Sequence, residues 1–197
     1  MNDRERFLAA LRGHHPRFTT AILSDARVVS ANRGRSLAGA DRRKVAREAL
    51  RLTWESDGFL AQGLYRAKAG LQARGIPLLP RLLHRLAIST SGIYIGDPVL
   101  VEAGVHLAHG QIVIDGLTEI GRGTTIFPFT TIGLRPGDRR GPKIGRNVTI
   151  GSGAKLIGPI EIGDRATVGP NSVVFDDVPA GQTVVAPAAR PTERSAR

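Results

Sequence analysis

Aliphatic side chains return every six positions through the C-terminal half of the chain. The series runs Ile95, Val101, Leu107, then Ile114, Ile120, Ile126, Ile132, then Ile144, Ile150, Leu156, Ile162, Val168 and Val174. Gly follows directly at Gly96, Gly121, Gly133, Gly145, Gly151, Gly163 and Gly169. Such a period fits neither an amphipathic helix nor an alternating strand. It fits a parallel β-helix, in which each unit is one short flat face and its turn. The aliphatic residue points into the core, and Gly permits the backbone geometry at the corner. With 18 residues per triangular coil, the 13 in-phase positions predict slightly more than four coils between about Gly92 and Ala186. Helices before the coils, and the segment Val184 to Arg190 after them, are expected to cover the two ends of so short a stack.

The phase breaks twice. Leu107 to Ile114 is seven residues rather than six, with the extra residue inside Ala108-His109-Gly110-Gln111. Ile132 to Ile144 spans twelve, and the intervening Gly133 to Lys143 is dominated by Gly, Pro and charge, so it is expected to project as a loop. Loops on a rigid scaffold are where sites tend to be built.

Residues 1–90 read as helical. Asp41 to Arg74 has strong helix formers, with Val45, Leu50, Leu52, Phe59, Leu64 and Leu71 at helix-like spacings. Gly58, Gly63 and Gly70 weaken it locally and allow two helices, and Gly75-Ile76-Pro77 ends it. A short helix over Leu79 to Ile88 follows, its face of Leu79, Leu82, Leu83, Leu86 and Ala87 expected to pack on the first coil. The division is therefore an α-helical region over 1–90, a β-helix domain over 91–190 and a C-terminal tail over 191–197, expected to be disordered.

Charge sharpens this division. Residues 1–90 carry 17 Lys/Arg against 7 Asp/Glu, a balance of +10, while residues 91–197 carry 11 against 10. The basic half is a candidate for contact with an anionic surface. No aromatic stacking platform or DNA-reading motif accompanies it, so nucleic acid is not an expected partner. The absence of Cys excludes disulfides, thiolate metal sites and a cysteine nucleophile. The N-terminus lacks the apolar stretch of a signal peptide and no run approaches a membrane span, so a cytoplasmic location is expected.

Among the histidines, His109 stands apart because it sits at the first phase break. His106 lies three residues before it, yet the only other upstream candidate near the coils is His84, so no metal site is expected. A single imidazole suits general-base work near neutral pH. No Gly-x-Ser-x-Gly elbow and no Walker or Rossmann glycine motif occurs.

Several stretches carry a resemblance. Gly104-Val105-His106-Leu107-Ala108-His109-Gly110-Gln111-Ile112-Val113-Ile114, the loop ending Gly137-Asp138-Arg139-Arg140-Gly141-Pro142-Lys143-Ile144-Gly145, and Ile150-Gly151-Ser152-Gly153-Ala154-Lys155-Leu156-Ile157-Gly158 resemble the serine acetyltransferase branch of the hexapeptide-repeat acyltransferases. Val178-Pro179-Ala180-Gly181, the segment Ala186 to Arg190 and the helical Gly58 to Arg66 are similar to it as well, so the likeness covers roughly residues 57–190. It implies a mainly β protein: a left-handed parallel β-helix preceded by helices. A homotrimer is the implied assembly, with a hexamer as the alternative, and acetyl-CoA would lie in a groove between subunits as co-substrate. His109 falls on the family's catalytic base. Gly153, Ala154 and Lys155 fall on the stretch lining the CoA groove, and Arg190 on the basic residue near its end.

The chain departs from the family pattern around the acceptor. Ala108 replaces an Asp that helps hold the amino acid, and Arg139-Arg140 replaces an Arg-His pair. Tyr94 aligns with the Asp that orients the imidazole, and the Asp-Pro-Ala before the helical motif has no counterpart. An L-serine ammonium would lose its carboxylate partners, and an unpaired ammonium in a closed site is costly. The expectation is thus direct acetyl transfer, with His109 as base, to a hydroxyl other than that of free serine: a sugar, a glycan or a natural-product intermediate. Tyr94, Ala108, Arg139 and Arg140 would line its site, with the arginines meeting an anionic part of the acceptor or of CoA. Two alternatives are a serine or homoserine O-acetyltransferase, and a non-catalytic β-helix scaffold.

Overall fold

The computed structural model describes residues 14–190. Its four helices are α1 (Phe18–Asn32), α2 (Arg42–Glu55), α3 (Asp57–Ala73) and α4 (Leu79–Ser91), and fourteen short strands, β1 to β14, follow in chain order. The expected tail over 191–197 lies outside the described residues. No described helix is long and apolar enough to cross a membrane.

The strands build a three-sided parallel β-helix. Face A stacks β1 (Ile93–Ile95), β4 (Ile112–Ile114), β7 (Thr131–Gly133), β10 (Lys155–Ile157) and β13 (Val173–Val174). Face B stacks β2 (Leu100–Val101), β5 (Leu117–Ile120), β8 (Arg140–Ile144) and β11 (Glu161–Ile162). Face C stacks β3 (His106–Leu107), β6 (Thr125–Ile126), β9 (Thr149–Ile150), β12 (Thr167–Val168) and β14 (Thr183–Val184). All thirteen hexad positions lie inside, none more than 8% exposed. The register keeps like positions stacked: Ile95 on Ile114 on Ile132, and Leu156 on Val174.

Two differences from the sequence reading concern the coils. Thr183–Val184 pairs with Thr167–Val168, so Val184, the first residue of the expected end segment, belongs to a further rung, and the stack reaches about five turns. The projecting loop is also shorter than its composition implied, because Arg140–Ile144 is strand β8, paired with β5. Gly141 makes that pairing possible: a Cβ there would overlap Thr118 Oγ1.

The helices close the N-terminal end. Ser56, in an extended conformation, separates α2 from α3 and accepts a hydrogen bond from Phe59 N at 3.4 Å as the α3 N-cap. Gly58 then lies on the first coil, where a Cβ would overlap the Leu107 carbonyl oxygen. The first coil presents carbonyls with no strand below to pair them, and buried ones are costly unless satisfied. α3 supplies donors in order. Gln62 Nε2 donates to Val105 O at 2.9 Å, Tyr65 Oη to Val99 O at 2.7 Å, and Lys68 Nζ to Ile95 O at 2.7 Å. Arg66 donates to Val101 O and, at 2.6 Å, to Glu102 O. Its charge is balanced by Asp25 of α1 at 3.2 Å, which also accepts from Gly104 N at 2.7 Å and Val105 N at 3.3 Å. A second core, with Ala26, Val29, Val45, Leu52 and Phe59, ties α1, α2 and α3 together.

The expected face of α4 holds only in part. Ala87 is buried and Leu83 half-buried, but Leu79, Leu82 and Leu86 are 44%, 62% and 45% exposed, and Pro80 and Ser91 are buried instead. The stripe facing the body is Pro80, His84, Ala87 and Ser91, since α4 lies alongside α3 rather than flat on the first coil. Gly92, in the left-handed conformation (φ 66°), ends α4 and turns the chain into β1.

Candidate active site

His109 stands on the corner between faces C and A. The extra residue of the first phase break is absorbed there, with Gly110 in the left-handed region at φ 68°. The imidazole is exposed. The same corner in successive coils forms one edge of the prism. Phe129 N donates to Gln111 O at 2.6 Å, Gly153 N to Pro128 O at 2.9 Å, and Asn171 N to Ser152 O at 2.9 Å. Gly153, Ala154 and Lys155 therefore share an edge with His109 and Ala108. Arg190 is exposed, in the segment that follows β14. Lys155 folds back on the edge, its ammonium donating to Phe129 O at 2.7 Å and Gly153 O at 3.1 Å.

His106 is buried beneath this edge, with Nδ1 lacking a partner. Burial above all, with Arg33 and His109 adding, lowers its pKa to about 4. It stays neutral at physiological pH, while its neighbour Leu107 fills the core.

The other corner of face A carries a different arrangement. An open cavity of about 1060 Å³ lies between α4, the corners after β1 and β4, and the projecting loop. Tyr94, Asp97, Asp115, His84, Leu134 and Arg139 line it. Tyr94 packs edge-on against His84, ring centroids 4.9 Å apart. Of the arginine pair, Arg139 reaches this cavity, whereas Arg140 is taken by Asp138 at 2.8 Å. Arg135 anchors the loop by donating to Phe175 O at 2.7 Å.

Electrostatics here are set by one buried lysine. Lys68 is 2% exposed and pairs with Asp97 at 3.1 Å, with His84 Nδ1 3.5 Å away. Burial lowers the Lys68 pKa against the pull of Asp97. Burial pushes the Asp97 carboxyl up, yet the Lys68 charge and hydrogen bonds from Lys68 and Gln72 bring it below its usual range. Burial and then Lys68 lower His84, while burial and then Asp115 and Asp97 raise Tyr94.

The structure thus divides most of the residues singled out from sequence into two groups. His109, Ala108, Gly153, Ala154 and Lys155 belong to the C–A edge, Tyr94 and Arg139 to the A–B cavity, and Arg190 to the segment after β14. Strand β4 separates the groups within one chain. Asp97 and Asp115 escaped the sequence reading. They sit one coil apart at equivalent corners, so closely that a Cβ on Gly96 would collide with Asp115 Oδ1. The signal was present in the register, since Asp97 follows Ile95 by two residues and Asp115 follows Ile114 directly.

The family model for the bacterial transferase hexapeptide (six repeats) matches residues 141–176. The solenoid and this match define a hexapeptide-repeat transferase. The chain is 36% identical over 131 residues to the serine acetyltransferase of Helicobacter pylori, covering 65% of this chain and 77% of that one. It is 34% identical over 148 residues to the serine acetyltransferase of Synechococcus elongatus, covering 74% of this chain and 61% of that enzyme's length. Soybean serine acetyltransferase complexed with serine superposes with a TM-score of 0.73 at 29% identity, over 90% of this chain and 70% of that one. The chain belongs to the serine acetyltransferase family.

These relatives overturn the expectation of an acceptor other than free serine. The resemblance reaches across most of the chain, and the superposed soybean enzyme holds serine itself. The objection from missing acceptor carboxylates rested on Ala108 and on the absent Asp-Pro-Ala; two carboxylates it left out of account, Asp97 and Asp115, line the cavity at the A–B corner.

Proposed function

We propose that this chain is a serine O-acetyltransferase, using acetyl-CoA as donor in a cytoplasmic setting and working as a homotrimer. The observation that carries the reading is the sharing of one edge by His109 and the Gly153-Ala154-Lys155 stretch, in a chain of this family. A donor lying along that edge would present its thioester to the imidazole. His109 would take the proton of the serine hydroxyl as the oxygen attacks the thioester carbonyl. The C–S bond then breaks, and the imidazolium returns the proton to the departing CoA thiolate, giving O-acetylserine and CoA. No acyl-enzyme is needed, because no nucleophile accompanies the base. A backbone N–H near Gly110 would face the developing oxyanion.

In this reading Gly153 and Ala154 give the pantetheine arm close approach to the backbone, and Lys155 braces the corner that seats it. Arg190 meets the anionic end of CoA. Ala108 leaves space beside the base, and Arg139 receives the serine carboxylate. Tyr94 walls the acceptor cavity against His84. Arg140, held by Asp138, shapes the loop.

The test is release of free CoA thiol from acetyl-CoA on addition of L-serine, with homoserine for comparison. Serine-dependent, saturable release is expected. His109→Ala should lower kcat by roughly a hundred- to ten-thousand-fold while leaving acetyl-CoA binding in place. Absence of serine-dependent release, or full activity in His109→Ala, would refute the proposal.

A further inference from the structure

Asp115 lines the cavity at the A–B corner, where its charge acts on Lys68, His84 and Tyr94. Among the described residues its side chain takes part in no hydrogen bond or ion pair. Asp97 beside it is committed to Lys68 at 3.1 Å. Arg139, a fixed cation, stands across the same cavity. A free carboxylate and a guanidinium facing one space match the two charged ends of a free α-amino acid.

His109 and Asp115 nevertheless bracket strand β4 (Ile112–Ile114). At ~3.3 Å per residue the six-residue step between them spans up to ~20 Å of backbone, and the two side chains leave opposite corners of the face, against the two-carbon span from a serine hydroxyl to its ammonium. One chain cannot present both groups to one acceptor. A closed ring of copies can, because such contacts are heterologous and join different surfaces of neighbouring subunits. With face A turned to the three-fold axis, the C–A edge of each copy meets the A–B edge of the next. The outward apolar positions of face A support that orientation, Val113 and Val173 being 41% and 58% exposed in the single chain.

Building on the proposed serine acetyltransferase activity, we infer that Asp115 anchors the acceptor's α-ammonium and does so for the His109 of the neighbouring subunit. Asp97, neutralised by Lys68, holds the corner beside it and bears less of the ammonium's charge. The chain thereby recovers, from a different corner of the fold, the carboxylate that position 108 no longer supplies.

Two measurements test this on the full-length protein. Asp115→Asn should raise KM for L-serine roughly 10- to 100-fold, leave the calorimetric affinity for acetyl-CoA unchanged and narrow the preference for serine over glycerate, which lacks the ammonium. Asp115→Glu, which keeps the charge, should recover part of the loss, and Asp97→Asn should cost less than Asp115→Asn. At serine well below the KM of the Asp115→Asn enzyme, co-expression of His109→Ala with Asp115→Asn chains should restore activity above that of either variant alone, since about one site in four then receives an intact copy of both residues from different subunits. An unchanged serine KM in Asp115→Asn, a larger cost at Asp97, or no restoration in the mixed trimer overturns the inference while leaving the acetyltransferase reading standing. A wild-type protein without serine-dependent thiol release removes both.

Discussion

Gly58→Ala separates two physical arguments that predict opposite signs. Gly58 is the second residue of α3, and on helix propensity alone Ala should stabilise by about 1 kcal/mol. In the structure a Cβ at this position would overlap the Leu107 carbonyl oxygen, lying 3.0 Å from its carbon and 3.1 Å from the Ala108 carbonyl oxygen. These are backbone atoms of a packed coil, so α3 must retreat. Retreat loosens the hydrogen bonds from Gln62, Tyr65, Arg66 and Lys68 that sit on the same coil. Overpacking of this kind costs typically 1–3 kcal/mol, and each weakened bond to a buried carbonyl adds up to about 1 kcal/mol. Against the propensity gain, the net expectation is a loss of about 2–4 kcal/mol. For a chain of this size that is roughly a 5–15 °C drop in Tm. Thermal and urea unfolding followed by circular dichroism, at fixed protein concentration, measures it. Because Leu107-Ala108 leads directly into His109, kcat should fall as well. A higher Tm in Gly58→Ala would refute the close-approach account and return Gly58 to an ordinary helix position.

Other outcomes follow from the same contacts. Asp25→Asn leaves the buried Arg66 guanidinium without its counter-charge and should cost about 3–5 kcal/mol by urea unfolding; a change below 1 kcal/mol would mean the ion pair is not the hinge between α1 and the coil. His106, held neutral with a pKa near 4, takes no proton in the folded state over a range where the unfolded imidazole does. Stability should therefore fall as pH drops from about 6.5 towards 4, and His106→Gln should flatten that part of the profile; His15, whose pKa is also lowered to about 4 chiefly by burial, adds to the wild-type slope. Tyr94→Phe, which keeps the ring against His84, should change kcat/KM for serine less than about threefold; a loss of a hundredfold, with a shifted pH profile, would give its hydroxyl a role in orienting the base.

The coil was legible because its determinants are local. Each of Ile95 to Val174 at the six-residue phase needs only its own face and turn, and each is buried as that phase predicts. Gly58 marked the opposite situation, since a residue that weakens a helix in sequence proves to be the point of closest approach between helix and coil. Leu79, Leu82 and Leu86 misled because an apolar stripe states that a helix has a sticky face, without saying which neighbour lies closest. The site was half legible for the same reason. His109 announced itself at a break in phase. Asp97 and Asp115 carry no motif, and only the stacking of one corner on the next makes them a pair. Carboxylates brought together by stacking from coil to coil leave no trace in the linear order around Ala108, Arg139 and Arg140.

The α3 cap has a consequence for engineering. Gln62, Tyr65, Arg66 and Lys68 grip carbonyl oxygens of Ile95, Val99, Val101, Glu102 and Val105, main-chain groups that every residue carries. A lid that recognises main chain rather than side chains is transferable. The segment from α1 through α3 should seat on any β-helix whose first rung offers the same carbonyl spacing and leaves room for Gly58, and the side chains of that rung become free to be redesigned for a new acceptor.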